Sequence, residues 1–475
     1  MKRRTLGLLG AGALAIATRT AFAQVSGLPA EITAREAADA QLQTKIDAEA
    51  AARATVDALL QRNIDGEAGA RAATDAQLQS QIDQLRARGG AGGSAIVDCT
   101  SGGSVSEALA SGATQITVRG TCNESVDVTR DGATLLGEPG ATVHGPDATV
   151  NTITVRANRV TIDGLTVTGG RNGITGLGAA NLTARNCTVQ FTGRTGISYA
   201  NGSSGTVDGC LVQSNGRDGI AVDGAQGTII NSTVTNNARN GVLVANGATS
   251  RVGLTDRLTA AGNTITQNGS TGVTVAQGST ATIAMNTITG NGTNASVPRF
   301  GIGVSQAAAS VAGGNTISDN AGQGVFAGTG SSILIGDLNT GLTTVNTITN
   351  NGNPASPGGV QAFFGSTMVV RDAVIESNRG PGLTVNTRSH AQIFSSTIRN
   401  NSDVGIRLFQ GSALYALAPM TAISGNAGIA LQCTDLESST NVNSTGATNN
   451  TPPLQILSFS GNQAGTGDFS NCSGF

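Results

Sequence analysis

Residues 231–244 read NSTVTNNARNGVLV, and the order of these letters decides the fold. Val234 is followed three positions later by Asn237, and Gly241 is followed by Val242 and Val244, the alternation of a half-buried strand. The glycine recurs at steps of 22 or 23 residues, apart from three longer steps. The series is Gly173, Gly196, Gly219, Gly241, Gly272, Gly301, Gly324, Gly359, Gly382, Gly405 and Gly428. The chain therefore repeats one unit and carries insertions at three places.

The length and composition of this unit favour one architecture. Three short strands separated by Gly and Asn fit in 23 residues, whereas a helical repeat or a four-stranded propeller blade does not. The unit is typical of one coil of a parallel β-helix, in which each coil stacks on the one before. We therefore predict an all-β solenoid over residues 95–475.

The repeated pattern T-[IV]-x-x-N…G-[IV]-x-[VL] resembles the right-handed parallel β-helix of the pectin-lyase-like superfamily. The stretch VDCTSGGSVSEALASGATQITVRGTCNESVDV, residues 97–128, is similar to the N-terminal part of such domains. The resemblance implies a strand, a capping helix near Ser104–Ala110 and then the first coils. It covers about residues 95–475 and specifies the fold, not a function.

The stacking of coils predicts that the asparagine three positions after each inward residue forms a ladder. Neighbouring coils lie about 4.8 Å apart, so each amide can donate to one neighbour and accept from the other. The resemblance implies that such ladders are scaffold, not a binding site. The nine predicted members are Asn215, Asn237, Asn268, Asn291, Asn320, Asn351, Asn378, Asn401 and Asn426.

The N-terminus and the cysteines indicate export. Residues 1–23 combine a basic start, an apolar run and a small-residue cleavage site, as in a signal peptide. Six cysteines in an exported chain predict disulfides. Cys99 and Cys122 are 23 residues apart, as are Cys187 and Cys210, and Cys433 and Cys472 then pair by elimination. We expect a periplasmic, cell-surface or extracellular protein without a membrane-spanning segment after the signal.

Residues 24–88 carry an 18-residue repeat beginning at Arg35, Arg53 and Arg71. Eighteen residues make five helical turns, so each copy returns to the same face. The apolar residues therefore form a narrow stripe, which predicts a coiled-coil-like stalk that associates with further copies of the chain. Our guess for the assembly is a trimer. A lone, partly frayed helix is the alternative. Residues 89–94 are Gly-rich and predict a flexible linker. The aligned stripe positions are Leu42, Leu60 and Leu78, then Ile46, Ile64 and Ile82, then Ala38, Val56 and Thr74.

The position two residues before the repeat glycine is rich in arginine. We call Arg171, Arg194, Arg217, Arg239 and Arg299 the arginine column. Arginine suits the carboxylates and sulfates of an acidic polysaccharide. A solvated turn that happens to favour arginine is the alternative interpretation.

Threonine flanks the inward residue in many units, for example Thr233 and Thr235 around Val234. Outward hydroxyls in register would form a flat lattice, similar to those of β-helical ice-binding proteins. Threonine is also simply a good exposed strand residue. Gln190, Gln213, Glu376 and Arg399 interrupt the pattern, which argues against ice binding.

The sequence gives little sign of catalysis. Asp163, Arg185 and Asp208 are weak catalytic candidates, because they occupy equivalent places in successive units; an ion-pair stack is the alternative. Trp is absent and Tyr is rare, which predicts a poor surface for stacking sugars. The inserted segments TNASVPRFG and NGNPASPGGVQAFFG could complete a cleft.

We therefore predict an exported, non-catalytic surface or matrix protein that binds an acidic polysaccharide along the arginine column. One alternative is a polysaccharide lyase or related carbohydrate-active enzyme of the pectin-lyase-like type. Binding to ice or another ordered surface is the second alternative. No metal or other cofactor is expected, except calcium if the protein is lyase-like, and no nucleic-acid partner is expected.

Overall fold

The computed structural model describes residues 28–88, 93–256, 259–336, 344–353, 358–417, 419–434, 438–442, 457–460 and 469–470. The predicted signal peptide and residues 89–92 of the predicted linker lie outside these ranges. The chain divides into two units, residues 1–90 and 91–475. Within the described ranges, the helices lack a segment that is both long and apolar enough to cross a membrane.

The described residues of the first unit form one helix, α1 (Leu28–Arg88), of 61 residues. It runs through Gly66 and Gly69 without a break. The arginine that begins each 18-residue repeat forms an exposed ion pair with the glutamate four residues before it, which adds modest support to a helix. The pairs are Glu31–Arg35, Glu49–Arg53 and Glu67–Arg71.

The second unit begins with a cap. Strand β1 (Ser94–Asp98) leads into a short 3₁₀ turn and then helix α2 (Val105–Ala110), where the sequence predicts a capping helix. Ser104 is the N-cap residue, and Glu124 from the next coil accepts hydrogen bonds from the first two backbone N–H groups of α2. A carboxylate here satisfies donors that lack partners within the helix. The cap closes the end of the core.

The remaining strands form three parallel sheets in a β-solenoid of about 14 turns. Sheet A contains, with β1, strands β2 (Gln115–Arg119), β5 (Thr134–Gly137), β8 (Val160–Asp163), β11 (Asn181–Arg185), β14 (Ser204–Asp208), β17 (Gln226–Ile230), β20 (Thr249–Val252), β23 (Thr280–Ile283), β26 (Ala308–Val311), β29 (Ser332–Ile335), β32 (Thr367–Arg371), β35 (His390–Phe394), β38 (Ala413–Ala416) and β41 (Ser439–Val442).

Sheet B follows sheet A in every turn. It contains β3 (Thr121–Asn123), β6 (Thr142–Gly145), β9 (Thr166–Gly169), β12 (Thr188–Gln190), β15 (Leu211–Gln213), β18 (Thr233–Thr235), β21 (Thr264–Thr266), β24 (Thr287–Thr289), β27 (Thr316–Ser318), β30 (Asn346–Thr349), β33 (Ala373–Glu376), β36 (Thr397–Arg399), β39 (Thr421–Ser424) and β42 (Leu457–Ser460).

Sheet C completes the turn. It contains β4 (Val126–Val128), β7 (Ile153–Val155), β10 (Ile174–Leu177), β13 (Ile197–Ala200), β16 (Ile220–Asp223), β19 (Val242–Ala245), β22 (Val273–Ala276), β25 (Ile302–Ser305), β28 (Val325–Gly328), β31 (Val360–Ala362), β34 (Leu383–Asn386), β37 (Ile406–Phe409), β40 (Leu431–Cys433) and β43 (Phe469–Ser470).

The predicted asparagine ladder is present and buried. Val212, Val234 and Ile265 stack in register inside the core, and the asparagine three positions after each of them joins the ladder. From Asn215 to Asn401, each amide nitrogen donates to the amide oxygen of the next turn over distances of 2.9–3.1 Å. The same oxygen also accepts the backbone N–H of the preceding turn's asparagine, so the ladder ties side chains and backbone together.

A second ladder, which the repeat pattern does not predict, lies at the turn between sheets A and B. Its members are two positions before the inward residue, and the backbone N–H of each donates to the side chain of the next. Cysteine, serine and asparagine can each occupy this position because each offers an acceptor atom. The series includes Cys187, Cys210, Ser232, Asn263, Asn286, Asn315 and Asn346.

The second ladder corrects one predicted disulfide. Cys187 and Cys210 lie one turn apart as expected, but both are buried free thiols. The Cys187 backbone N–H donates to Cys210 Sγ at 3.4 Å, and the Cys210 thiol donates to Ala184 O at 3.4 Å, so the sulfur bonds between turns as a ladder member. A hydrogen bond between the Cys210 and Cys187 thiols, together with burial, raises the pKa of Cys210 well above its usual value.

The other two cysteine pairs have different outcomes. Cys99 and Cys122 form the predicted disulfide, with Cα atoms 5.0 Å apart. It joins the 3₁₀ turn to β3 and so fastens the cap to the first coil. Cys472 lies outside the described residues, so its pairing with Cys433 stays a prediction.

Candidate functional site

The arginine column is stacked by its backbone. Arg194 N donates to Arg171 O at 2.6 Å, and Arg217 and Arg239 each donate to the arginine before them at 2.7 Å. Ser270 extends this line by one turn, because its backbone N–H donates to Arg239 O at 2.7 Å. Its hydroxyl then donates to Pro298 O at 2.6 Å. Arg299 follows Pro298 in an inserted loop and does not continue the line. The structure thus brings four of the five predicted residues into one line.

The four stacked arginines are not equally available. Arg217 Nε lies 3.2 Å from Oδ2 of the buried Asp218, and this carboxylate also accepts hydrogen bonds from Asn240. Arg171, Arg194 and Arg239 have no carboxylate partner within the described part of the chain. Three guanidinium groups of the column are therefore available to a ligand, whereas the charge of Arg217 is neutralised by Asp218.

A row of phenylalanines lies on the outer face of sheet C. Phe300 and Phe326 stack with their ring centroids 4.4 Å apart and their planes 12° apart. Phe363 lies 6.2 Å from Phe326, and Phe364 lies 5.8 Å from Phe363. The poor stacking surface expected from the absence of Trp and the rarity of Tyr stays a prediction, and the structure adds this row of four phenylalanines to the aromatic groups available.

Two glycines leave room for the Phe300 and Phe326 rings to lie close to the sheet. A Cβ at Gly303 would lie 2.8 Å from Phe300 Cδ2, and a Cβ at Gly328 would lie 2.5 Å from Phe326 Cε1. Both glycines belong to sheet C strands, at outward positions next to the rings. Outward glycine near phenylalanine is the sequence signal that could have indicated the row.

The arginine column and the phenylalanine row meet in a groove of about 710 Å³, which we call the sheet C groove. Arg217 and Arg239 line one part of it, and Phe300 and Phe326 line another. Between them, Thr274 Oγ1 donates to Asn240 Oδ1 at 3.0 Å. The volume falls within the usual range for ligand sites, roughly 300–1,000 Å³.

A second groove, of about 830 Å³, crosses the outer face of sheet A. Its lining consists of Ser, Thr, Ala, Gly, Asn and Gln with a few aliphatic residues, and Arg251 supplies its charge. Volume alone does not make a site. The sheet C groove combines charge with an aromatic surface, so it is the stronger candidate.

The comparison with known families agrees with this architecture. The family model described as "Right handed beta helix region" matches residues 110–255, 141–288, 218–414 and 327–450, together well over half of the chain. The chain belongs to the right-handed β-helix family. Its fold is the right-handed parallel β-helix that the repeat pattern predicts.

Solved structures resemble this β-helix in fold at low identity. The Azotobacter vinelandii mannuronan C-5 epimerase AlgE6 A-module is 13% identical, covers 81% of this chain and 93% of its own, and has a TM-score of 0.43. The periplasmic alginate epimerase AlgG is 10% identical over 74% and 76%, with a TM-score of 0.40. Pectate lyase Pel9A is 14% identical over 59% and 78%, with a TM-score of 0.37. The search of curated proteins found no match.

The weak catalytic candidates lie elsewhere in this β-helix. Asp163, Arg185 and Asp208 are register partners on sheet A. Arg185 forms an ion pair with Asp163 at 2.9 Å, and Asp208 accepts a hydrogen bond from Asn231 at 2.8 Å. One ion pair and one amide hydrogen bond thus occupy these three side chains, and none of them lines the sheet C groove.

The outward threonines form a regular block on sheet B of the β-helix. Five consecutive strands, β18, β21, β24, β27 and β30, pair in register with a hydroxyl residue at both outward positions. Gln213 precedes this block and Glu376 follows it. Gln213 and Glu376, which the sequence shows as interruptions of the threonine pattern, therefore lie at the two ends of this block and not within it.

Proposed function

We propose that this β-helix is an exported, non-catalytic protein that binds an acidic polysaccharide in the sheet C groove. The observation that carries the proposal is the Phe300–Phe326 stack in the same groove as Arg239. The Cys99–Cys122 disulfide supports an oxidising compartment.

The two groups suit the two parts of a uronate residue. The C–H face of a sugar ring is apolar and can contact the phenylalanine row, while the carboxylate pairs with a guanidinium fork. The stacked arginines repeat at about 4.8 Å along the solenoid axis. A chain that follows the axis can therefore contact several turns in succession.

The lining of the groove favours binding over reaction. Its ionisable residues are Arg217, Arg239 and Asp223, and the last accepts a hydrogen bond from Asn246. Paired-carboxylate hydrolysis needs two acids, and a calcium site needs several oxygen ligands. A single carboxylate that is already hydrogen-bonded serves neither purpose.

We expect Phe326→Ala and Arg239→Ala each to weaken binding to immobilised alginate or pectate at least tenfold, about 1.4 kcal/mol. Arg251→Ala, an exposed arginine in the sheet A groove, is the matched control and should leave binding unchanged. Raising the salt concentration should weaken binding by the wild type more than by Arg239→Ala, because exposed charges are screened.

Three outcomes would redirect the proposal. Equal affinity of Phe326→Ala and wild type would show that the groove is not the site. Loss of binding in Arg251→Ala alone would move the site to sheet A. Steady release of unsaturated sugar ends that stops in Asp163→Asn would favour the enzyme alternative.

A second candidate function is supported by the five-strand hydroxyl lattice of sheet B. An ordered surface such as ice can contact many equally spaced groups at once. If this face binds ice, the protein shows thermal hysteresis, and Thr287→Tyr in the middle of the lattice removes most of it. An unchanged freezing point for the wild-type protein rules this candidate out.

A further inference from the structure

Helix α1 presents one continuous face at steps of three or four residues. Such steps keep side chains on the same side of a helix. Every described side chain of this face is exposed. We call the face the seam; its central part comprises Leu42, Ile46, Glu49, Arg53, Val56, Leu60, Ile64, Glu67, Arg71, Thr74 and Leu78.

The seam mixes apolar and charged positions in a fixed order. In the first two 18-residue repeats, leucine and isoleucine are followed by the glutamate and arginine of an ion pair. The Glu49–Arg53 and Glu67–Arg71 pairs therefore lie in line with Leu60, not on the opposite side of the helix. The charges interrupt the apolar stripe at regular distances.

We propose that the seam is the contact surface for further copies of this chain, and that its ion pairs fix the register of the helices. The proposal is independent of the sheet C groove. A seam with its flanking residues covers about three to four positions in every two turns. Along a 61-residue helix this amounts to roughly 26–35 residues, at least the size of one side of a standard stable interface.

The register follows from the order of the seam. A copy shifted by a fraction of the repeat places Glu49 and Arg53 against leucine and isoleucine, which buries charge without a partner. A shift by a whole repeat leaves one set of apolar side chains uncovered. Only full overlap sets apolar positions on apolar ones and ion pairs beside ion pairs. A second copy of the same chain supplies this pattern by identity, which is why we assign the partner as a copy.

The test compares two neighbouring leucines in the full-length chain. Leu60 belongs to the seam, whereas Leu59 points about 100° away around the helix, and the two are similarly exposed, at 53% and 55%. Light scattering should give a mass of two or more chains for wild type and Leu59→Asp. Leu60→Asp should weaken association at least tenfold. Circular dichroism checks that both variants keep their helix. A monomeric wild-type protein, or equal effects of the two variants, overturns the proposal.

A second variant tests the register. Replacing all six residues of the three ion pairs by leucine removes the polar positions but extends the apolar stripe. The expected result is a stalk that melts at a higher temperature but forms assemblies of more than one mass, because a polar position in a helical seam specifies alignment at a cost in stability. A single mass identical to wild type would show that the ion pairs do not set the register.

Discussion

Asn268→Ala is expected to lower the free energy of unfolding by roughly 3–5 kcal/mol. The Asn268 side chain is completely buried. Its oxygen accepts from Asn237 N and Nδ2 at 3.1 and 3.0 Å, and its nitrogen donates to Val234 O at 3.1 Å. The same nitrogen also donates to Asn291 Oδ1 at 2.9 Å. Alanine removes all four of these hydrogen bonds, and each buried group that is left without a partner costs about 1–3 kcal/mol before relaxation. Asn237 Nδ2 keeps its bond to Val212 O.

Urea unfolding followed by circular dichroism measures this loss. Asn181→Ala is the control, because Asn181 is exposed on β11 and makes one side-chain hydrogen bond, to Ser204 Oγ at 3.0 Å. It should change stability by less than about 0.5 kcal/mol. Equal midpoints for both variants would mean that water replaces the ladder without loss.

The first ladder was predictable because it depends on a fixed offset within a repeat. Once Val234 is placed inward, Asn237 must stack on its equivalents, whatever the details of packing. The second ladder obeys the same rule, but its position holds Cys, Ser and Asn in different turns. Because three residue types share this one acceptor role, the repeat does not show the ladder as a column of one letter. The spacing of Cys187 and Cys210 alone therefore predicts a disulfide.

The candidate site was only half predictable for a related reason. The arginine column is periodic, so its alignment follows from the spacing. Phe300 comes directly before Gly301, a position that holds Thr271 and Gln323 in the two neighbouring turns. Its stacking on Phe326 therefore depends on a residue that is not repeated. A repeat pattern fixes where each position lies, whereas the contacts of a side chain that occurs in one turn alone are set by tertiary packing.

Gly205→Ala is expected to destabilise the protein by about 3 kcal/mol, near the upper end for overpacking. A Cβ at this position would lie 1.8 Å from Leu182 O in the neighbouring strand of sheet A and 2.6 Å from Tyr199 Cε1. Strands β11 and β14 would have to separate where their backbones pair. Thermal unfolding monitored by circular dichroism gives the measurement.

Gly227→Ala provides the matched control, because Gly227 is the register partner of Gly205 on the next strand, β17. Its Cβ would meet a side-chain methyl, Val222 Cγ2, at 2.6 Å, so it should cost less. Both variants restrict the unfolded chain equally, and the difference between them isolates the backbone contact. Adding Tyr199→Leu to Gly205→Ala should not restore stability, since the carbonyl contact remains. If it does, the buried ring, not the spacing of the strands, is what requires glycine at position 205.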